Sequence, residues 1–135
     1  LGVLWHADAD AGCRLRKVAP LARALVPFTA WISGRKRFQA ATRTAMPTFT
    51  ADGPRIKVDP LAAWSAEDVA ARAAARNLPA HPLVARGYPS IGCLPCTAPV
   101  APGEDTRAGR WRGLEKTECG IHFGLPADEE NGSGI

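Results

Sequence analysis

The sequence has no apolar run near the roughly 20 residues needed to cross a bilayer, and no charged-then-apolar leader with a small-residue cleavage site. Membrane and secretory classes are therefore not expected, and a cytoplasmic location is. Aromatic residues are scarce, with one Tyr, four Phe and four Trp. Nucleic-acid binders interleave aromatics with concentrated base, and the excess of 17 Lys and Arg over 13 Asp and Glu, a net charge of +4, is modest. No nucleic-acid partner is expected; a small anion fits the charge as well. With 46% hydrophobic and 22% charged residues, the 135-residue chain has the composition of one globular domain. It has neither a Walker A sequence nor an internal repeat. It opens on Leu1 within an apolar stretch, which suggests a piece of something longer.

What is present falls into clusters. Arg14, Arg16 and Lys17 form one basic group, Arg35, Lys36, Arg37 and Arg43 a second, and Arg107, Arg110 and Arg112 a third. Each alone reads as a solvated face; together they can converge on a phosphate or sulfate. The four cysteines are Cys13, Cys93, Cys96 and Cys119. In a reducing compartment such a set binds metal or does chemistry more often than it forms disulfides.

Local patterns predict the elements. Residues 1 to 11 read as an apolar strand and an acidic turn containing Asp8 and Asp10. From Cys13 to about Leu25, apolar residues recur at helical spacing, with a kink or break expected at Pro20. Phe28 to Ile32 reads as a short buried strand, Asp52-Gly53-Pro54 as a turn, and Ile56 to Val58 as a further strand. Ser65 with Asp68 signals a capped helix from about Ala66 to Arg76, stopped at Asn77 and Pro79. Pro, Gly and Arg dominate from Leu78 to Arg112, where loops are expected, and Ala127 to Ile135 reads as a mobile acidic, then Gly/Ser-rich tail.

Two constellations carry chemistry. Cys93-Leu94-Pro95-Cys96 lies in a loop, where both sulfurs can turn toward one metal or cluster; it does not open a helix after a strand, which disfavours a thioredoxin-like redox pair. Cys119, within Glu118-Cys119-Gly120-Ile121-His122, stands in a net basic neighbourhood that suits a reactive thiol, with His122 close in sequence. A different reading has Cys13, Cys93, Cys96 and either Cys119 or His122 holding a structural zinc, with no catalysis.

Several further stretches are distinctive: Cys13-Arg-Leu-Arg-Lys-Val-Ala-Pro-Leu21, Ala30-Trp-Ile-Ser-Gly34 with Gln39 and Thr42-Arg43, and Pro60-Leu61 with Trp64-Ser65 and Glu67-Asp68-Val69. To these are added Gly87-Tyr-Pro-Ser-Ile-Gly-Cys-Leu-Pro-Cys-Thr97, Pro102-Gly-Glu-Asp-Thr-Arg-Ala-Gly-Arg-Trp111 and Lys116-Thr-Glu-Cys-Gly-Ile-His122. Together they resemble the thioredoxin-dependent assimilatory sulfonucleotide reductases, the adenylyl-sulfate and phosphoadenylyl-sulfate reductases, and the resemblance covers nearly the whole chain.

It implies an α/β fold, the Rossmann-like adenine-nucleotide α-hydrolase (PP-loop) type. Residues 1–112 would be the C-terminal part of the reductase domain and 113–135 a flexible tail carrying the nucleophile. The family's Ser-Gly-Gly-x-x-Ser phosphate loop is missing, so the chain is expected to be the C-terminal half of a longer enzyme. The resemblance assigns catalysis to Cys119 and His122, and substrate binding to Arg16, Lys17, Lys36, Arg107 and Arg110. Cys119 would attack the sulfur of adenylyl sulfate, form an S-sulfocysteine, and be restored by thioredoxin with release of sulfite. Members with a Cys-Cys pair plus Cys-x-x-Cys hold a 4Fe-4S cluster; here Cys13, Cys93 and Cys96 are the implied ligands, and Gly12 stands where the fourth is expected. His81 and Ala98 also stand where the family has Tyr and Arg. The alternative within the family is a cluster-free phosphoadenylyl-sulfate reductase. A homo-oligomer is compatible with either.

Overall fold

Alanine and aspartate alternate from residue 7 to 11, and that pattern makes a helix rather than the expected strand and turn. In the computed structural model, which describes residues 4–123, α1 spans Leu4–Ala7 and α2 spans Ala9–Cys13. Asp8 is the cap: its carboxylate accepts from the backbone N–H of Asp10 at 2.9 Å and of Ala11 at 2.8 Å. Alanine has the best helix propensity and a capping aspartate satisfies two otherwise orphaned donors, so Leu4 and Trp5 lie in a helix and not in a strand. Residues 1–3 and the tail at 127–135 lie outside the described residues.

The helix continues through a π-helical turn, Arg14–Val18, into α3, Ala19–Leu25. Pro20 has no N–H, so in α register the Arg16 carbonyl would lose its partner. Upstream of it the bonding widens by one residue, with the Ala19 N–H donating to the Arg14 carbonyl five positions back. The expected disturbance at Pro20 is thus a change of helical register over the preceding turn.

Three short strands form one mixed sheet in the order β1-β3-β2: β1 Ala30–Ile32, β2 Phe49–Asp52 and β3 Arg55–Val58. β1 runs parallel to β3, pairing Trp31 with Lys57, and β2 runs antiparallel to it, pairing Thr50 with Lys57 and Asp52 with Arg55. Gly53, at φ 59°, takes the left-handed position of the two-residue β2–β3 turn. The register sorts the side chains into two unlike faces. Trp31, Thr50, Asp52, Arg55 and Lys57 share one, and Arg55 and Lys57 are each only 4% exposed. Ala30, Ile32, Phe49, Ala51, Ile56 and Val58 share the other, where Ile32 is 75% and Phe49 67% exposed.

The sheet is therefore covered on its polar face and open on its apolar one, which corrects the expectation that Phe28 to Ile32 would be buried. Ile32→Thr, which keeps the β-branch of an exposed side chain, is expected to change the stability of this chain by less than about 0.5 kcal/mol in urea unfolding. A larger loss would show that the face is covered in solution.

The described chain divides into two compact units. The first comprises the residues up to Arg35, Pro47–Ala62 and the segment from Glu118 onward. The second comprises Lys36–Met46 and Ala63–Thr117. In the second, α4 spans Ala66–Ala75, one residue short of expectation. Ser65 Oγ accepts from the Asp68 N–H and the Asp68 carboxylate accepts from the Ser65 N–H, a reciprocal cap. Asn77, at φ 49°, closes the helix as the Leu78 N–H reaches the Ala73 carbonyl. Among the described residues, no helix is long and apolar enough to cross a membrane.

Candidate functional site

The chemistry-bearing residues separate between the two units. In the first, Cys13 ends α2 and Lys17 lies one turn later in the π-helical segment. Where bonding runs from i to i+5, a turn takes more than four residues, so positions 13 and 17 stay in line on one face. That face meets the segment Glu118–His122. Lys17 Nζ lies 3.7 Å from Cys119 Sγ, and Cys13 Sγ lies 3.8 Å from the same sulfur. No disulfide links the described cysteines.

Gly120 makes this approach possible. A Cβ there would sit 3.2 Å from both Cys13 Sγ and Val18 Cγ2, tighter than ordinary van der Waals contact. Beside the sulfur pair a concave pocket of about 580 Å³ is lined by Asp10, Cys13, Arg14, Val18, Ala19, Gly120 and Phe123. Arg16, in the same basic group, is exposed.

His122 ends a short 3₁₀ turn, Gly120–His122, whose N–H bonds the Cys119 carbonyl at 2.9 Å. Its Nδ1 lies 3.0 Å from Lys57 Nζ on the covered face of the sheet. The same ammonium sits 4.4 Å above the Trp31 ring, and Trp31 Nε1 donates to the Asp52 carboxylate at 2.7 Å. Two residues beyond Lys57, Asp59 is fully buried and accepts a fork from Arg35, Nε at 3.2 Å and Nη2 at 2.7 Å. Burial by itself pushes the Asp59 carboxyl up. Hydrogen bonds from Arg35 and Ser33, with the charges of Arg35 and Lys57, outweigh it and hold the carboxyl below the usual carboxylate range.

In the second unit, Cys93 and Cys96 flank a 3₁₀ turn, Leu94–Cys96, with the Cys96 N–H on the Cys93 carbonyl. Thr97 Oγ1 ties the loop, accepting from the Gly92 N–H at 3.0 Å and donating to the Cys93 carbonyl at 2.9 Å. Arg110 lies across it, its Nε donating to the Cys96 carbonyl and Nη1 to the Ile91 carbonyl. Gly92 leaves room for that guanidinium, which a Cβ would meet at 2.3 Å. The Arg107 and Arg110 guanidiniums stand 5.5 and 4.5 Å from the Trp111 ring. Arg112 pairs with Glu104 at 2.8 Å. Elsewhere in this unit, Gln39 Oε1 accepts from the Lys36 N–H and from Arg43 Nη1. Burial, then the nearby Arg43 charge, holds the Lys36 amine below its usual value, an arrangement that an anion would relieve.

The structure thus brings Lys17 and Cys13 to Cys119 Sγ, and sets the His122 ring against Lys57 one short turn further on. It holds Cys93 and Cys96 on a separate loop with Arg110. Among the described residues, no group of three or more His, Cys, Asp or Glu side chains is placed to hold a metal ion. Of the thiols named in the sequence reading, Cys13 and Cys119 belong to the first unit and Cys93 and Cys96 to the second. Lys57 and Asp59 went unnoticed in the sequence. Their signal was available: charged residues at 55, 57 and 59 alternate with apolar ones at 56 and 58, so one face of β3 had to be charged.

Comparison with known proteins bears on the same residues. The sequence profile of the family described as phosphoadenosine phosphosulfate reductase domain matches residues 2–99. The adenosine 5′-phosphosulfate reductase of Chelativorans sp. (strain BNC1) is 58% identical over 125 residues, covering 92% of this chain and 51% of that protein. That of Mesorhizobium japonicum is 59% identical over 122 residues, covering 90% and 48%. That of Mycolicibacterium smegmatis is 47% identical over 121 residues, covering 88% and 51%. The chain spans about half the length of these curated relatives. A 125-residue stretch of a 135-residue chain necessarily takes in both Cys13 and Cys119.

Proposed function

We propose that this chain, which belongs to the phosphoadenosine phosphosulfate reductase domain family, is the nucleophile-bearing C-terminal half of an adenylyl-sulfate reductase. The observation that carries the reading is the Lys17 ammonium 3.7 Å from Cys119 Sγ. A sulfur that attacks an anionic sulfonucleotide must approach negative charge, and a fixed cation at that sulfur offsets the repulsion.

Cys119 Sγ attacks the sulfur atom of adenylyl sulfate. The sulfur–oxygen bond to the phosphate breaks, its electron pair leaves with AMP, and Cys119 becomes S-sulfocysteine. A thiolate of thioredoxin then attacks Cys119 Sγ; sulfite departs with the bonding pair, and the partner's second thiol frees Cys119 as oxidised thioredoxin forms. His122 supplies an N–H to an anionic oxygen. Arg16 joins Lys17 in drawing the sulfonucleotide in, and Lys36, Arg107 and Arg110 serve its phosphate and sulfate. The carbonyls of Ile91 and Cys96 hold Arg110 at one orientation.

The cofactor is inferred from the resemblance: a 4Fe-4S cluster drawing on Cys13, Cys93 and Cys96, one thiolate short at Gly12. Four thiolates are the ordinary complement, and the implied set supplies three, with no side-chain donor at Gly12. The donor set as it stands does not fit the group, and no step above passes through it.

The test is mass spectrometry of the protein, with the upstream segment of its relatives restored, after exposure to adenylyl sulfate without dithiol. One sulfo group on the Cys119 peptide is expected. An adduct formed only from the 3′-phosphorylated nucleotide would transfer the reading to phosphoadenylyl-sulfate reductase, and no adduct from either would overturn it. Lys17→Met, which keeps the length of the side chain, should slow adduct formation about 10- to 100-fold, as expected for losing one charged contact at the reacting atom. An unchanged rate would remove Lys17 from the mechanism.

A further inference from the structure

We propose that Lys57 is a positioning residue for His122: its ammonium occupies Nδ1, so the imidazole carries its proton on Nε2 and presents that N–H to the anion at Cys119. The inference deepens the reductase reading and rests on it for what His122 does, but not for how His122 is held.

A neutral imidazole has one donor and one acceptor nitrogen, whereas an ammonium has donors alone. At 3.0 Å from Lys57 Nζ, Nδ1 must therefore be the acceptor, and the ring proton falls to Nε2. The backbone sets where His122 stands in the chain's path. His122 closes the 3₁₀ turn that starts at Gly120, and its N–H is bonded to the Cys119 carbonyl, so the residue follows Cys119 by one short turn while Lys57 holds its ring.

Lys57 is itself immobilised. It is 4% exposed, at the centre of the three-stranded sheet, with Trp31 directly across on β1 and Thr50 across on β2. The Trp31 ring lies 4.4 Å beneath its ammonium and is anchored by the bond to Asp52. Asp59, on the same face of the chain two residues on, balances its charge. A long flexible side chain is thus reduced to one orientation, which is what setting a tautomer requires. The strand pairing explains the choice of residue. At the middle of a central strand the side chain reaches past both neighbours, and four methylenes carry the amine out to the terminal segment.

The experiment is long-range ¹⁵N NMR of histidine-labelled protein, with Lys57→Met beside the wild type, joined to the rate of adduct formation at Cys119. Methionine matches lysine in length and packs on Trp31, but has no donor. The wild type should show His122 in the Nε2–H tautomer. The variant should shift it toward Nδ1–H and form the adduct about tenfold more slowly at saturating nucleotide, with half-saturation unchanged. A wild-type His122 protonated on Nδ1, or a variant with the same tautomer as the wild type, would overturn the proposal even if the adduct forms normally. The wild-type spectrum decides without any variant having to fold. Wild-type protein that forms no adduct would sink the reductase reading, while the tautomer still reports on Lys57.

Discussion

Cys119→Ser is expected to leave no detectable S-sulfo adduct and no sulfite release, a loss on the order of 10³-fold or more. A hydroxyl stays protonated at neutral pH, and its oxygen is a poor nucleophile toward sulfur. Among the described residues, the groups hydrogen-bonded to Cys119 Sγ are the Lys17 ammonium and the Cys13 thiol, neither of which would take the proton of a hydroxyl. Folding should be little disturbed, because serine is smaller and Gly120 remains to permit the close approach to Cys13 and Val18. Iron and sulfide content, measured anaerobically on both proteins, separates the roles. Equal content with adduct lost assigns Cys119 to chemistry. Metal lost together with activity would make Cys119 a ligand and return the molecule to the structural-metal reading.

Asp59→Ala should be strongly destabilising to the first unit, by about 3 kcal/mol in urea unfolding, because it removes the buried partner of a half-buried guanidinium. Arg35 and Asp59 are bonded through two parallel contacts, the arrangement in which each partner satisfies the other's charge and donors. Lys57 also loses its balancing charge, so the loss extends to the residue that holds His122.

The same carboxylate dictates an acid limb. Its folded pKa lies below the unfolded one, so its contribution is complete above the ordinary carboxylate range, near pH 4, and is lost as pH falls through the lower folded value. The wild type should therefore lose more stability than the alanine variant below about pH 4. Parallel stability curves for the two proteins across that range would mean that Asp59 is not ionised in the folded state.

Local signals along the chain were read where one interaction decided the outcome. The reciprocal cap of Ser65 and Asp68 placed α4 to within one residue, because a cap satisfies its donors without help from the rest of the fold. Asp52-Gly53-Pro54 reads as a turn, and the structure has a turn there, but β2 on its near side, Phe49–Asp52, carries no local signal that the sequence reading used. Residues 4–11 differ from the expected strand and turn, since apolar side chains there look like a strand until Asp8 is recognised as a cap. Pro20 is expected to kink or break the helix; instead the helix runs on through a widened turn upstream of it, a form that depends on which carbonyls find partners.

The family motifs were legible for a similar reason, being short and contiguous: Glu118 to His122, Gly87 to Thr97 and Pro102 to Trp111 can each be read without knowing what lies across from them. Thus the sequence alone determined the family, the nucleophile candidate and the helices whose ends are capped locally. The tertiary structure decided which face of the sheet is covered, that Lys17 and Cys13 share a face with Cys119, and that Lys57 meets His122. The reason is separation along the chain. Lys57 and His122 are 65 positions apart and Lys17 and Cys119 are 102, and no local periodicity carries information across such distances. Only strand register and the turn of the terminal segment bring those atoms within reach.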